Sequence, residues 1–140
     1  MKKIFALGFG ILMLASCSSD DGGSSVNESQ LTNKKWYYSK YVIEGVAMDY
    51  EHENIQCGKD YSLFKDTGVF VDAYYTSDCE EMITEDSWTL DGKKLSLNFD
   101  GEISTFTISK LTNSALEVTA KQDVDEDGDL ESVKMVFTAN

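Results

Sequence analysis

Short segments rich in aromatic and β-branched residues, separated by turn sequences, run from Trp36 to the C-terminus and constrain the fold most strongly. Such residues favour β-strands. The turns Asp91-Gly92 and Asp100-Gly101 tolerate the positive φ angles of a two-residue hairpin turn. After residue 16 no window has a convincing helical period, so the folded part is predicted to be all-β. The predicted strands are 36–44, 61–65, 69–75, 83–90, 95–99, 102–109, 116–121 and 132–138.

The order and spacing of these segments predict how they pair. Every connection after Asp60 is short enough for a hairpin, which favours an antiparallel sheet in sequential order. About eight such strands close into an up-and-down barrel or stack as a sandwich. A barrel of this size holds packed side chains or one small ligand. Residues 45–56 show no strand pattern and are predicted to form a long loop over one mouth of the barrel.

The N-terminus has the features of an export signal. Lys2 and Lys3 precede an apolar run at 4–15, which is too short for a membrane span but typical of a signal peptide. The run ends in Leu-Ala-Ser-Cys, which resembles the bacterial lipobox. Residues 1–16 are therefore predicted to be removed, and Cys17 to become the first residue and to carry acyl chains, palmitate among them. The alternative is an ordinary signal peptide that contains a cysteine.

Small and acidic residues after Cys17 predict a flexible tether over 17–30, with the folded domain at 31–140. Ser18 directly after the cysteine is typical of sorting to the outer membrane. Asp20-Asp21 resembles the acidic export tethers of Bacteroidota surface lipoproteins. We therefore expect an outer-membrane lipoprotein that is held to the membrane by its acyl chains and faces either the cell surface or the periplasm.

The other two cysteines, Cys57 and Cys79, are an even number in a chain sent to an oxidising compartment. This predicts a disulfide, which would stabilise the fold by about 3 kcal/mol. The alternatives are two free thiols or half of a metal site, with His52 as the nearby soft ligand.

The loop before the last predicted strand holds six acidic residues within 123–131. Aspartates at alternate positions followed by Gly128 match the start of a calcium loop. An EF-hand is excluded because Lys134 stands where its bidentate glutamate belongs and because the flanks predict strands. The alternative to a Ca²⁺ site is a solvated acidic turn. The predicted ligands are Asp123, Asp125, Asp127, Asp129 and, in reserve, Glu131.

Composition excludes several classes of function. The net charge is −13 and there is no arginine, which argues against binding to nucleic acid. A single histidine disfavours a Ser or Cys triad and any His-rich metal site. The chain also lacks a nucleophile elbow, a P-loop, a dinucleotide fingerprint and a zinc signature. We therefore expect a non-enzymatic protein.

Three groups of residues follow one another in a characteristic order: Trp36 shortly after Leu31-Thr32, DYSLFKDTGVF at 60–70, and WTLDGKKL at 88–95. With the lipobox, they resemble the lipocalin-like domain of secreted Bacteroidota lipoproteins over residues 31–139. Lys34 stands where lipocalins often have a glycine before the tryptophan. The resemblance implies an up-and-down barrel that binds a small apolar molecule. The alternative is a surface-displayed structural or interaction module, stabilised by Ca²⁺ at the acidic loop.

Overall fold

The computed structural model describes residues 26–140 and contains one short helix and nine strands in this part of the chain. The elements are α1 (Glu28–Leu31), β1 (Lys35–Ile43), β2 (Val46–Asp49), β3 (Tyr61–Phe64), β4 (Val69–Tyr75), β5 (Glu81–Asp91), β6 (Lys94–Phe99), β7 (Glu102–Leu111), β8 (Ala115–Gln122) and β9 (Glu131–Thr138). The predicted signal peptide and Cys17 lie outside the described residues. Within those residues, no helix is long and apolar enough to cross a membrane.

The strands form one antiparallel sheet that closes on itself. Neighbouring strands pair in the order β2-β1-β3-β4-β5-β6-β7-β8-β9, and β1 also pairs with β9. Strands β1 and β3–β9 therefore make a closed barrel of eight strands. The predicted all-β class and up-and-down barrel are confirmed, and the sandwich is excluded.

The first strand has one edge that serves two partners. Lys35, Trp36 and Tyr37 pair with β3, whereas the later residues of β1 pair with β2 across a tight turn at Glu44-Gly45. The sequence predicts only a loop over 45–56, and this prediction is wrong for Val46–Asp49. All four residues of β2 are exposed, so the segment has no buried face and no alternation from which a strand could be predicted.

Two hairpins test the predicted turn chemistry. Asp100 and Gly101 both have positive φ angles, 50° and 94°, so this turn is confirmed. The other turn is displaced by one residue, since Asp91 pairs with Lys94 and leaves Gly92-Lys93 as the loop. Of the two loop residues only Gly92 has a positive φ, 60°. The sequence therefore locates the hairpin correctly but not its turn residues.

One end of the barrel is filled by a packed core. The fully buried Trp36 donates a hydrogen bond of 2.8 Å from Nε1 to the carbonyl oxygen of Leu31. This bond fixes α1 to the barrel. The helix begins after Asn27, whose Oδ1 accepts from the backbone N–H of Ser29 at 3.1 Å. The sequence places residues 28–30 in the tether, but they belong to the folded domain. A single helical turn is too short to show a period.

Candidate ligand-binding cavity

The barrel strands surround a cavity of about 260 Å³. Phe99 and Gln122, the last residues of β6 and β8, line it, so the cavity reaches the end of the barrel opposite α1. Its wall is mainly apolar because alternate strand residues point inward. The apolar side chains include Phe64, Phe70, Leu97, Phe106, Leu116 and Met135.

Three polar side chains lie together on one wall of this cavity. Tyr38 donates a hydrogen bond of 2.8 Å from its hydroxyl to Oδ1 of Asp72. The hydroxyl of Ser62 donates to the Tyr38 oxygen at 2.9 Å. Burial raises the pKa of Asp72 above its ordinary value, and the Tyr38 hydroxyl, with the Ser62 hydroxyl 3.4 Å away, offsets only part of the effect. Burial, together with the nearby Asp72 charge, also raises the pKa of Tyr38.

A second cavity of about 120 Å³ adjoins the first, and Tyr38 and Asp72 line both. Tyr50, from the loop after β2, lies against Tyr38 with 4.7 Å between ring centroids and nearly parallel rings. Its hydroxyl donates to Oδ2 of Asp60 at 3.1 Å. Burial, with the nearby Asp60 charge, raises the pKa of Tyr50. The loop therefore closes one side of the polar region with an aromatic ring.

Asp60 is the most deeply buried acid of the described residues, with 1% of its surface exposed. Its backbone N–H donates to Nδ1 of His52 at 3.0 Å. Oδ1 of Asp60 has no hydrogen-bond partner within residues 26–140. A buried carboxylate oxygen without a partner is costly, so this atom is a candidate contact for a bound group.

The predicted disulfide between Cys57 and Cys79 is present, with Cα atoms 5.0 Å apart. It joins the loop after β2 to the connection between β4 and β5. Gly58, the residue after Cys57, packs closely against the ring of Tyr75. Any larger residue there would place its Cβ atom only 2.5 Å from a ring carbon. The disulfide rules out both alternatives, two free thiols and a metal site shared with His52.

The acidic loop between β8 and β9 brings some of the predicted calcium ligands together. Carboxylate oxygens of Asp123, Asp125 and Glu131 lie within 4.8 Å of one another. Asp127 instead accepts a hydrogen bond of 2.8 Å from the backbone N–H of Asp129, and neither belongs to this group. Glu131, which the sequence indicates only as a reserve ligand, is thus one of the three that converge.

The residues that give the cavity its polar wall were not identified from the sequence. Asp72 does leave a signal, because it lies between Phe70 and Tyr74 at a position whose side chain points inward. Tyr50 and Asp60 leave none, since both belong to a loop without any periodic pattern.

Comparisons with known proteins agree with this architecture. A lipocalin-like protein from Bacteroides uniformis is similar in structure, with a TM-score of 0.56 and 16% sequence identity over 78% of this chain and 97% of that one. An uncharacterized protein from Bacteroides eggerthii has a TM-score of 0.54 and 13% sequence identity over 76% of this chain and 98% of that one. No curated protein matches the sequence. A family model described as a lipocalin-like domain matches residues 21–118. Because this match covers well over half of the chain, the chain belongs to the lipocalin-like domain family.

Proposed function

We propose that this protein is a non-enzymatic lipoprotein of the cell envelope that binds a small, mainly apolar molecule inside its barrel. The Leu-Ala-Ser-Cys sequence at 14–17 supports lipidation at Cys17 and an outer-membrane location. The observation that carries the binding proposal is the cavity of about 260 Å³ with its apolar wall. Small-molecule sites are typically apolar clefts of about 300–1,000 Å³; this cavity is slightly smaller, so its ligand is a small molecule.

Filling part of the cavity is expected to weaken this binding. Ser104 lines the cavity, and a phenylalanine there would occupy ligand volume. Displacing two methylene groups of a ligand costs roughly 1.6 kcal/mol, so Ser104→Phe should weaken 1-octanol binding at least about tenfold by titration calorimetry. Thr105→Phe is the matched control, since the next residue of β7 points to the outer face. Unchanged affinity in a folded Ser104→Phe variant would contradict the proposal.

We propose as a second candidate a surface-displayed interaction module whose acidic loop binds Ca²⁺. The convergence of Asp123, Asp125 and Glu131 favours it, because carboxylate oxygens are the ligands that Ca²⁺ prefers. No lysine lies within 123–131, so the loop itself supplies no positive charge to neutralise these carboxylates.

Millimolar Ca²⁺ is therefore expected to raise the melting temperature. If Ca²⁺ binds only the folded state and its concentration is a hundred times Kd, binding raises the free energy of unfolding by about 2.7 kcal/mol. Asp125→Asn should remove this shift, whereas Glu126→Gln, an exposed acid of the same loop outside the converging group, should leave it unchanged. A melting temperature that does not respond to Ca²⁺, or responds equally in both variants, would count against the candidate.

A further inference from the structure

We propose that the ligand is a protonated primary amine with a short apolar body. The inference rests on the proposed function, since the apolar body would occupy the same cavity. The ammonium group would lie where the two cavities meet, between the carboxylates of Asp72 and Asp60, with Tyr38 and Tyr50 beside it.

The carboxylate of Asp72 lies in a mainly apolar cavity without an opposite charge beside it among the described residues. Asp72 accepts a hydrogen bond from the hydroxyl of Tyr38, and the hydroxyl of Ser62 lies 3.4 Å from the same oxygen. Within residues 26–140 Asp72 forms no ion pair with a lysine or with His52. Burying a charge without an opposite charge is unfavourable, and burial raises the pKa of Asp72 accordingly. A ligand cation would supply the missing opposite charge.

Asp60 has a carboxylate oxygen that lacks a hydrogen-bond partner within the described residues. This side chain lines the smaller cavity, is almost fully buried, and leaves Oδ1 without a donor within residues 26–140. Nδ1 of His52 is 3.5 Å from the other carboxylate oxygen. That nitrogen accepts the backbone N–H of Asp60, and it is not a hydrogen-bond partner of Oδ1. An ammonium N–H would satisfy Oδ1, which an apolar or anionic group would not do.

The aromatic residues around this point also favour a cation. Tyr38, Tyr50 and Tyr74 all line the smaller cavity. The faces of aromatic rings attract positive charge, most strongly when water is excluded. The cavity of about 120 Å³ is also large enough for a group of the size of an ammonium ion and a bound water molecule.

The distribution of charge over the barrel argues against an anionic ligand. Cross-strand partners share one face of a sheet. Asp86 therefore faces inward beside Phe70, and Glu102 faces inward beside Phe99. The lysines within the described strands all occupy outward positions next to inward-facing residues; they are Lys35, Lys40, Lys94, Lys110, Lys121 and Lys134. The inner face of the strands thus carries negative charge and no lysine to balance it.

Titration calorimetry of the purified full chain at neutral pH with octylamine, 1-octanol and octanoate tests this inference. We expect octylamine to bind at least about tenfold more tightly than 1-octanol, because hydrogen bonds to charged groups are the stronger ones, and octanoate to bind most weakly. Binding of 1-octanol as tight as that of octylamine would overturn the amine proposal while leaving the proposed function intact. Failure of all three to bind would overturn both.

Variants identify which carboxylate is responsible for the preference for octylamine. Asp72→Asn should reduce the preference for octylamine over 1-octanol about tenfold, with the larger loss of affinity on the side of octylamine. Asp91→Asn is the matched control, because it removes one exposed carboxylate at the other end of the barrel. Equal losses for both ligands in Asp72→Asn would mean that the side chain only shapes the cavity, and would overturn the proposal. Even if a variant does not fold, the comparison of the three ligands on the unaltered chain tests the amine proposal.

Discussion

Replacing Trp36 with alanine is expected to lower the free energy of unfolding by about 3–5 kcal/mol. The side chain is fully buried and packs in the core cluster at the closed end of the barrel. Its loss would leave a cavity and would free the carbonyl oxygen of Leu31, which accepts the indole hydrogen bond. Small domains have about 5–15 kcal/mol of stability in total. The variant should therefore lose a large fraction of its stability.

Urea denaturation followed by far-UV circular dichroism would measure this loss. Trp36→Phe is the matched variant, since it keeps most of the ring volume but removes the donor. We expect it to cost about 1–3 kcal/mol, the penalty for an unpaired buried acceptor. Leu31 in α1 should then become more susceptible to proteolysis than the strands are. A loss below about 1 kcal/mol in Trp36→Ala would show that this end of the barrel is not packed as described.

The double substitution Cys57→Ser, Cys79→Ser is expected to lower the free energy of unfolding by about 3 kcal/mol. The disulfide links residues separated by 22 positions, and its removal restores conformational freedom to that loop in the unfolded chain. The barrel strands on either side keep their pairings, so the variant should still fold.

Chemical denaturation with and without a reducing agent isolates the contribution of the disulfide. Reduction should destabilise the unaltered chain by about the same 3 kcal/mol and should have no effect on the double variant. Equal stability of the two proteins under oxidising conditions would contradict the prediction. If the reducing agent also destabilised the double variant, its effect on the unaltered chain could not be attributed to this disulfide.

The barrel was predictable from the sequence where burial leaves a pattern. In β6 and β9, Leu95, Leu97, Val133 and Phe137 alternate with residues that point outward, and this alternation identifies a strand with one buried face. The first strand was also predictable, because its aromatic residues favour a pleated surface. The exposed β2 has no buried face, and α1 is a single turn, so neither produced a signal.

The candidate site was predictable only in part, for a physical reason. The cavity is the part of the interior that side chains from many strands leave unfilled. Its volume depends on how all of them pack together, which no local sequence pattern encodes. Asp72 could be recognised as an acid at an inward-facing position. Tyr50 and Asp60 could not, because the disulfide and long-range hydrogen bonds, rather than a local preference, bring their loop to the barrel.

The pairing of β1 with β9 has a consequence for the order of folding. Tyr37 is paired with Thr138, so the ring cannot close until β9, the last strand of the barrel, has been made. Non-local strand pairings slow folding, and all-β proteins rich in them fold in milliseconds to seconds. Until closure, β1 and β8 each expose an unpaired edge that can join a neighbouring chain. A chain cut short before Glu131 would keep both edges open permanently and should form intermolecular sheets rather than a barrel.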